Sequence, residues 1–163
     1  MSGAYLGVDT SNYTTSVACV SKEGIVFERR TMLSVALGER GLRQSDALFQ
    51  HVRNLPPLLD ALFASVERES IQAVGVSAKP TSAAESYMPV FLAGKLAANA
   101  LANALNVPLI ETTHQAGHVR AAMLGNEPEL EDKTFLSMHL SGGTTDVLKV
   151  TLVGDLIDSI ECI

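Results

Sequence analysis

Two histidines separated by three residues are the side chains of this sequence best suited to chemistry. They lie in the segment His114-Gln115-Ala116-Gly117-His118. Residues four apart share one face of a helix, so both imidazoles could reach one metal ion, although two partly exposed histidines without a metal have the same spacing. A metalloprotease helix needs Glu directly after the first His as general base, and Gln115 cannot accept a proton at neutral pH. The spacing therefore permits a metal site and disfavours a protease.

Two short turns carry the other candidate groups. Ser141-Gly142-Gly143-Thr144 joins two strand-like runs, and its glycines would let backbone N–H groups approach an anion, although an ordinary hairpin turn has the same composition. Asp9-Thr10-Ser11 follows a buried-type strand. Its carboxylate could hold a metal or a metal-bound water, and its hydroxyls could meet a phosphate. A turn satisfied by its own side chains explains this segment equally well.

Hydrophobic periodicity predicts a mixed α/β domain with the order βββαβαβα. We expect strands at 5–9, 14–20, 25–32, 71–77 and 107–111, a first helix with Ser45 as its N-cap, and further helices over 89–106 and 114–124. The apolar stripe of the first helix consists of Leu48, Val52, Leu55, Leu59, Leu62 and Val66. Pro56 and Pro57 fall inside this stripe and predict a kink or two abutting helices.

The last third of the chain is predicted to contain an acidic segment and three strands, with no helix after them. An acidic segment, 126–133, predicts a linker or exposed turn, and strands are expected at 135–140, 145–153 and 156–162. Because no further helix follows, we expect these strands to stay uncovered. We also expect self-association, through the first two helices or by pairing of the end strands.

Charge and composition limit the function classes. Lys and Arg number 12 against 18 Asp and Glu, and a net charge of −6 disfavours broad electrostatic capture of nucleic acid. Candidate RNA or partner contacts are Arg40, Arg43, His51 and Arg53, although a solvated helix face is the simpler interpretation. There is no membrane-length apolar run, signal sequence, CxxC pair, P-loop or dinucleotide-binding glycine motif. These features predict a cytoplasmic protein that does not contact membranes.

Several segments, taken in order, resemble the glycoprotease-like family. Its members were once labelled O-sialoglycoprotein endopeptidases and are now understood as the catalytic subunit of tRNA threonylcarbamoyladenosine synthesis. The segments are LGVDTSNYTTSVACV, GLRQSDALFQHVRNLPPLL, LNVPLI, HQAGH and LSGGTTDVLKV. The resemblance implies an actin-like ATPase (ribonuclease H-like) fold. Residues 1–132 would form the first lobe, and residues 133–163 the opening strands of a truncated second lobe.

The resemblance also implies a reaction, the transfer of a threonylcarbamoyl group from its adenylate to N6 of an anticodon-loop adenosine in tRNA. By matching position, His114 and His118 would bind a divalent metal, iron or zinc. The adenylate or an ATP-type nucleotide would contact His139, Leu140, Ser141, Gly142 and Gly143, with Asp9, Thr10 and Ser11 forming a phosphate-side turn. No catalytic residue is assigned. The first-lobe helices would bind a homologous subunit, as a homodimer or heterodimer.

The sequence departs from the family pattern in three places. Ala78-Lys79-Pro80-Thr81 stands where the family usually has Gly-Pro-Gly, and Thr144 replaces a His after the diglycine. Most of the second lobe, with the expected aspartate third ligand, has no counterpart here, so we expect the isolated chain to be inactive or nearly so. Two alternatives stay open: a non-catalytic dimerisation platform paralogue of the same family, which the paired histidines disfavour, and a metal-dependent glycoprotein endopeptidase.

Overall fold

The computed structural model describes residues 3–39, 41–125, 127–140 and 145–163. The chain divides into two compact units, Met1–His114 and Gln115–Ile163, which we describe separately. The domain boundary expected between residues 132 and 133 stays a prediction. Within the described ranges, no helix is both long and apolar enough to cross a bilayer.

The first unit is a five-stranded mixed sheet with two long helices. Its elements are β1 (Ala4–Asp9), β2 (Thr14–Ser21), β3 (Gly24–Met32), α1 (Gln44–Phe63), β4 (Ile71–Lys79), α2 (Phe91–Leu105) and β5 (Leu109–Thr113). The strand order is β3-β2-β1-β4-β5. Strand β1 pairs antiparallel with β2 and parallel with β4, and β4 pairs parallel with β5. The carboxyl ends of β1, β4 and β5 therefore lie along one edge of the sheet, where α/β sheets bind ligands.

Apolar side chains of the two central strands form the core of this unit. Leu6 and Val8 of β1 and Val74 and Val76 of β4 are buried. They belong to one cluster with residues of both helices, namely Leu55, Leu58 and Leu62 of α1 and Ala93, Ala98 and Ala102 of α2. The small side chains of α2 let its backbone approach the sheet closely. This packing brings the start of α2 to the carboxyl edge of β1.

Helix α1 differs from its prediction at two points. It begins at Gln44, and Arg43 occupies the N-cap position without a side-chain hydrogen bond, so the prediction that Ser45 is the N-cap is wrong. Pro56 and Pro57 stand inside a single helix, which contradicts two abutting helices. Both proline rings are exposed.

The buried face of α1 is also rotated relative to the predicted stripe. Val52 is 50% exposed, whereas the buried residues are Ala47, His51, Leu55, Leu58 and Leu62. His51, read from the sequence as a surface contact, has no exposed area. The prediction failed because histidine is polar and was left out of the apolar count, although its ring can pack in a core when a ring nitrogen is hydrogen-bonded.

The second unit is a three-stranded antiparallel sheet with short helices. Helix α3 (His114–Met123) enters this unit at Gln115, and α4 (Glu127–Leu130), β6 (Thr134–Leu140), β7 (Thr145–Val153) and β8 (Leu156–Cys162) follow. The acidic segment predicted as a linker thus contains a helical turn. The strand order is β6-β7-β8.

One face of this sheet is covered, which corrects the expectation of uncovered strands. Val119 and Met123 of α3 form a buried cluster with Leu148, Val150 and Leu152 of β7. The expectation failed because α3 precedes the sheet in the chain, and only a helix after the strands was considered. On β6, Leu136, Met138 and Leu140 stay exposed.

Two helical glycines give a matched test of this packing. A Cβ at Gly94 would lie 2.8 Å from Thr10 Oγ1, whereas a Cβ at Gly117 meets nothing within 4 Å among the described residues. Overpacking costs about 1–3 kcal/mol, and Gly to Ala in an open helix position gains up to about 1 kcal/mol. We expect Gly94→Ala to lower the free energy of unfolding, measured by urea denaturation, and Gly117→Ala to leave it unchanged or raise it. Equal effects would contradict the close approach of α2 to the β1–β2 turn.

Candidate functional site

The turn between β1 and β2 is anchored to α2 through a buried threonine. Thr10 Oγ1 donates a hydrogen bond to the Val90 carbonyl at 2.9 Å and accepts one from the Gly94 N–H at 3.1 Å. Thr10 has no exposed area, so its hydroxyl is held within the protein. Asn12 adopts a positive φ of 38°, a conformation that Asn tolerates better than most residues. The path of the turn is thus set by one side-chain hydroxyl and one left-handed residue.

A second buried polar cluster holds the start of β2 against α1. Thr15 Oγ1 lies 2.8 Å from His51 Nδ1 and accepts a hydrogen bond from Asn54 Nδ2 at 3.2 Å. His51 Nε2 is buried without a hydrogen-bond partner among the described residues. Burial lowers the pKa of His51 from its ordinary value of 6.5, against smaller opposing effects from the Asn12 backbone and the Asp9 charge. The ring therefore stays neutral at pH 7.

Asp9, the last residue of β1, is the centre of the candidate site. Its Oδ1 accepts hydrogen bonds from the backbone N–H of Ser11, at 2.7 Å, and from the Ser11 hydroxyl. Its Oδ2 lies 3.0 Å from His114 Nδ1, across 105 residues of chain. Ser77, the third-last residue of β4, also hydrogen-bonds this carboxyl group. Three elements of the first unit thus converge on one carboxylate.

These contacts hold Asp9 in its ionised form. Burial by itself would raise the pKa of Asp9, but the hydrogen bond and charge of His114 and the hydrogen bonds from Ser11 and Ser77 outweigh it and hold that pKa well below 3.8. Asp9 is therefore ionised at neutral pH. A carboxylate only accepts hydrogen bonds, so His114 Nδ1 must carry a proton, and in the neutral ring Nε2 bears the lone pair. The Phe91 and His114 rings pack in a T-shaped arrangement, with their centroids 6.4 Å apart.

Ser77 was not recognised from the sequence, although a signal for it existed. Val8 of β1 pairs with Val76 of β4, so the residues after them, Asp9 and Ser77, are neighbours at the carboxyl edge. Two parallel strands that both end in polar residues predict such an encounter once their register is known. The register follows from tertiary pairing and was not available from periodicity.

The second unit contains a separate group of candidate residues. His118 of α3 and His139 of β6 have ring centroids 5.2 Å apart, with ring planes tilted by 31°. His139 Nδ1 lies 3.7 Å from Asp146 Oδ2, the residue that it faces on β7, which is too long for a hydrogen bond. That nitrogen is buried without a hydrogen-bond partner among the described residues.

A cavity of about 310 Å³ opens beside this pair of rings. Its lining residues are Gln115, His118, Val119, Ala122, Ser137, Met138, His139, Leu140 and Leu148. Two imidazoles, a carboxamide and a hydroxyl thus meet an apolar wall. This combination is typical of small-molecule sites, which place a few polar groups in a mostly apolar lining.

The predicted site residues therefore fall into three sets. Asp9, Ser11 and His114 meet in the first unit, where Thr10 serves as the anchor of their turn. His118, His139 and Leu140 line the cavity of the second unit. Ser141, Gly142 and Gly143 lie outside the described residues. Their assignment as ligand contacts, like that of the other residues, stays a prediction.

The assignment of His114 and His118 as metal ligands stays a prediction. His114 and His118 are one helical turn apart on α3, and imidazole nitrogens suit zinc and iron. The Asp9 carboxylate on His114 Nδ1 is the partner that metal-binding histidines usually have on their other ring nitrogen. In the part of the chain that the structure describes, however, no group of three or more His, Cys, Asp or Glu residues could hold an ion. These residues thus fit two positions of a metal site and do not complete it.

The sequence comparison identifies the family. Residues 37–160 match the family model of TsaD, tRNA N6-adenosine threonylcarbamoyltransferase. The chain belongs to the TsaD family. This membership confirms the resemblance to the glycoprotease-like family that the sequence motifs indicated.

Similar solved structures confirm the predicted fold class, an actin-like ATPase fold with a mixed α/β sheet. YeaZ from Pseudomonas aeruginosa superposes with a TM-score of 0.62 at 14% identity, covering 99% of this chain and 67% of that chain. A Pseudomonas aeruginosa protein described as similar to peptidase YEAZ superposes with a TM-score of 0.62 at 14% identity. The match covers 99% of this chain and 66% of that chain. EutJ, the ethanolamine utilization protein from Carboxydothermus hydrogenoformans, superposes with a TM-score of 0.50 at 15% identity. That match covers 98% of this chain and 51% of EutJ. This chain thus spans about two thirds of the length of the YeaZ-like chains.

The buried His51 makes stability dependent on pH near neutrality. Its folded-state pKa lies below 6.5, so the unfolded chain binds a proton that the folded chain excludes. The stability contributed by neutral His51 is full above about pH 6.5 and is lost as the pH falls from there toward the folded-state pKa. We expect His51→Gln to flatten the fall in the free energy of unfolding between pH 7.5 and 5, measured by urea denaturation. An unchanged slope in the variant would contradict the neutral, buried ring.

Proposed function

We propose that this chain takes part in threonylcarbamoyl transfer from its adenylate to N6 of a tRNA adenosine. Besides family membership, the contact between Asp9 and His114 carries this proposal. It places an oriented imidazole at the carboxyl edge of a parallel sheet, where folds of this class bind ligands.

In this proposal His114 and His118 supply two ligands to iron or zinc. Such an ion would act as a Lewis acid on the threonylcarbamoyl group. Asp9 holds the Nδ1 proton of His114 and thereby keeps the Nε2 lone pair available as a ligand. The described residues contain no group of three or more possible metal ligands, so the remaining ligands would come from elsewhere.

As the family resemblance implies, the adenylate is proposed to contact His139, Leu140, Ser141, Gly142 and Gly143. Asp9, Thr10 and Ser11 are proposed, on the same ground, as a phosphate-side turn. An ionised carboxylate repels a phosphate, so Asp9 acts on His114 and not on the phosphate itself. Both oxygens of Asp9 already accept hydrogen bonds from the protein, which agrees with this division of roles.

Partners are part of the proposal. The chain would work with a homologous subunit bound through α1 and α2, where Phe49 and Leu96 are 61% and 72% exposed. It would act on tRNA in the cytoplasm, with little activity when isolated, because the described residues do not complete a metal site. The net charge of −6 indicates that tRNA affinity would come mainly from partner subunits.

A non-catalytic platform of the same family is the second candidate. The incomplete ligand set among the described residues favours it. An endopeptidase is disfavoured, because Gln115 stands where the general base of a metalloprotease helix would be.

Metal analysis separates the first two candidates. We expect purified protein, titrated with Zn²⁺ or Fe²⁺ under reducing conditions, to bind metal, and His118→Ala to abolish that binding, measured by elemental analysis after desalting. Gly117→Ala changes the same helix without removing a ligand and should retain the metal. A wild-type protein that binds no metal but forms a tight heterodimer with a family member would be a platform.

Asp9 gives a finer test of the same site. Removing the partner of a metal-binding histidine typically lowers metal affinity about 10–100-fold. We expect Asp9→Asn to show that loss in a chelator competition, while its circular dichroism spectrum stays that of the wild type. Unchanged affinity would show that the Asp9–His114 contact does not serve a metal.

Transfer of the threonylcarbamoyl group to tRNA can be measured directly. We expect modified adenosine in tRNA, detected by mass spectrometry of nucleosides, only when the chain is combined with a homologous subunit and threonylcarbamoyl-adenylate. Efficient modification by the isolated chain would contradict the proposed dependence on a partner, and no stimulation in any combination would contradict the transferase proposal.

A further inference from the structure

Strand β3 lies at one edge of the five-stranded sheet, where β2 is its neighbour. Eight of its nine residues are exposed, and Phe27 is half-buried. An edge strand presents a row of backbone N–H and C=O groups that its own sheet does not pair, so a strand of another chain can add to it. The length and exposure of β3 make it a surface for strand pairing.

The backbone of β3 points toward β2 and away from it at alternate residues. Leu33, directly after the strand, donates its N–H to the Tyr13 carbonyl at 2.8 Å. In an antiparallel pair, every second residue faces the neighbouring strand in this way. Arg29 therefore faces β2, whereas Glu28 and Arg30 direct their N–H and C=O groups toward the open edge.

The side chains of Glu28 and Arg30 lie on one face of the sheet. Phe27 points to the opposite face, where it packs against the buried core cluster. Glu28 and Arg30 are both exposed, and neither belongs to an ion pair among the described residues. Two opposite charges thus flank Arg29, at the residues whose backbone groups face the open edge.

We propose that two copies of this chain associate by antiparallel pairing of their β3 strands, with the twofold axis beside Arg29. Glu28 of each copy then faces Arg30 of the other, and the same two residues exchange backbone hydrogen bonds. Opposite charges that face each other across two strands stabilise the pair. The five-stranded sheet would continue from one copy into the other. The inference concerns a surface that the proposed transfer reaction does not use.

Charge selects this register over the neighbouring ones. An axis beside Glu28 or beside Arg30 would set two carboxylates or two guanidinium groups directly opposite, which destabilises a strand pair. Edge strands often carry charges of one sign, which prevent pairing in every register. Glu28 and Arg30 have opposite signs and are equally distant from Arg29, so a single register pairs both.

Arg29 faces its own copy across the axis, but its guanidinium group is directed elsewhere. It lies over the Phe27 ring of its own chain, 5.8 Å from the ring centroid. In an antiparallel pair the two Phe27 rings lie on opposite sides of the axis, so the two guanidinium groups point apart. The cation–π contact therefore keeps these like charges separated.

Disulfide trapping tests the register. Facing residues that do not exchange hydrogen bonds have Cα atoms about 4.5 Å apart, within the range of a disulfide. In a Cys162→Ser background, which removes the exposed native thiol, we expect Arg29→Cys to form an intermolecular disulfide on mild oxidation, detected by non-reducing electrophoresis. Glu28→Cys and Arg30→Cys are the matched controls, because like-numbered residues there would be more than about 7 Å apart.

A disulfide in Arg29→Cys and not in the two controls would support the pairing. Cross-linking of either control at the rate of Arg29→Cys, or no cross-linking of Arg29→Cys, would overturn it. All three positions are exposed, so none of these substitutions disturbs the core.

A charge exchange tests the two ion pairs without new thiols. In sedimentation equilibrium, we expect Glu28→Arg to weaken self-association about tenfold or more, because two attractive pairs become repulsive. The double variant Glu28→Arg/Arg30→Glu reverses both pairs and should restore association. Glu69→Arg makes the same change in net charge at an exposed position outside β3 and should behave as the wild type. A monomeric wild type, or a double variant as weak as Glu28→Arg, would overturn the proposal.

Association through α1 and α2, which belongs to the proposed function, is tested separately with Leu96→Glu. Leu96 is 72% exposed on α2, so a charge there disfavours contact between helices without unfolding the chain. We expect strand-dependent association and the Arg29→Cys disulfide to persist in this background. Loss of both would assign self-association to the helices and overturn the inference, whereas their persistence in a protein without transfer activity would leave it standing.

Discussion

The ionised carboxylate of Asp9 is the constraint on which the candidate site of the first unit depends. A charge that is largely removed from water is stable only when hydrogen bonds and an oppositely polarised partner replace its solvation. Ser11, Ser77 and His114 provide that replacement. Each comes from a different stretch of chain, so the carboxylate holds together the β1–β2 turn, the end of β4 and the first residue of α3. The position of the His114 ring is a consequence of this requirement.

Around this carboxylate, the turn is held on two sides by buried threonines. Thr10 bonds the start of α2, and Thr15 bonds His51 and Asn54 of α1. A hydroxyl can donate and accept at once, which allows one small side chain to join two backbone groups in a space that a larger polar residue would not fit. The close approach of Gly94 to Thr10 belongs to the same arrangement. The rigidity of the site therefore originates in contacts that do not face a ligand.

The candidate site groups of the two units differ in whether their hydrogen-bonding capacity is used within the protein. The hydrogen-bonding capacity of Asp9 and Thr10 is met within the protein, which suits positioning. In the second unit, His139 Nδ1 is buried without a hydrogen-bond partner among the described residues. A ring nitrogen in that state retains its capacity to bind a ligand.

Features that depend on neighbouring residues in the sequence were predicted correctly more often than contacts between distant residues. Periodicity and turn residues are local properties, and they determined the βββαβαβα order and the bounds of β7 and β8 as the structure has them. The motifs HQAGH and LSGGTTDVLKV were sufficient for the family, because each is a contiguous run of residues. The start of α1 was misplaced because Arg43, and not a capping side chain, precedes it.

Tertiary structure alone decided which distant residues meet. Asp9 and His114 are 105 residues apart, and their contact depends on the order β1-β4-β5 and on the parallel register of those strands. The burial of His51 depended on its pairing with Thr15, since a histidine at that helical position is equally compatible with a wet surface. Gln115 shows the same limit: the sequence indicated only that it could not act as a base. Its burial beside two imidazoles is a property of packing between α3 and the sheet that follows it, and periodicity contains no information about such packing.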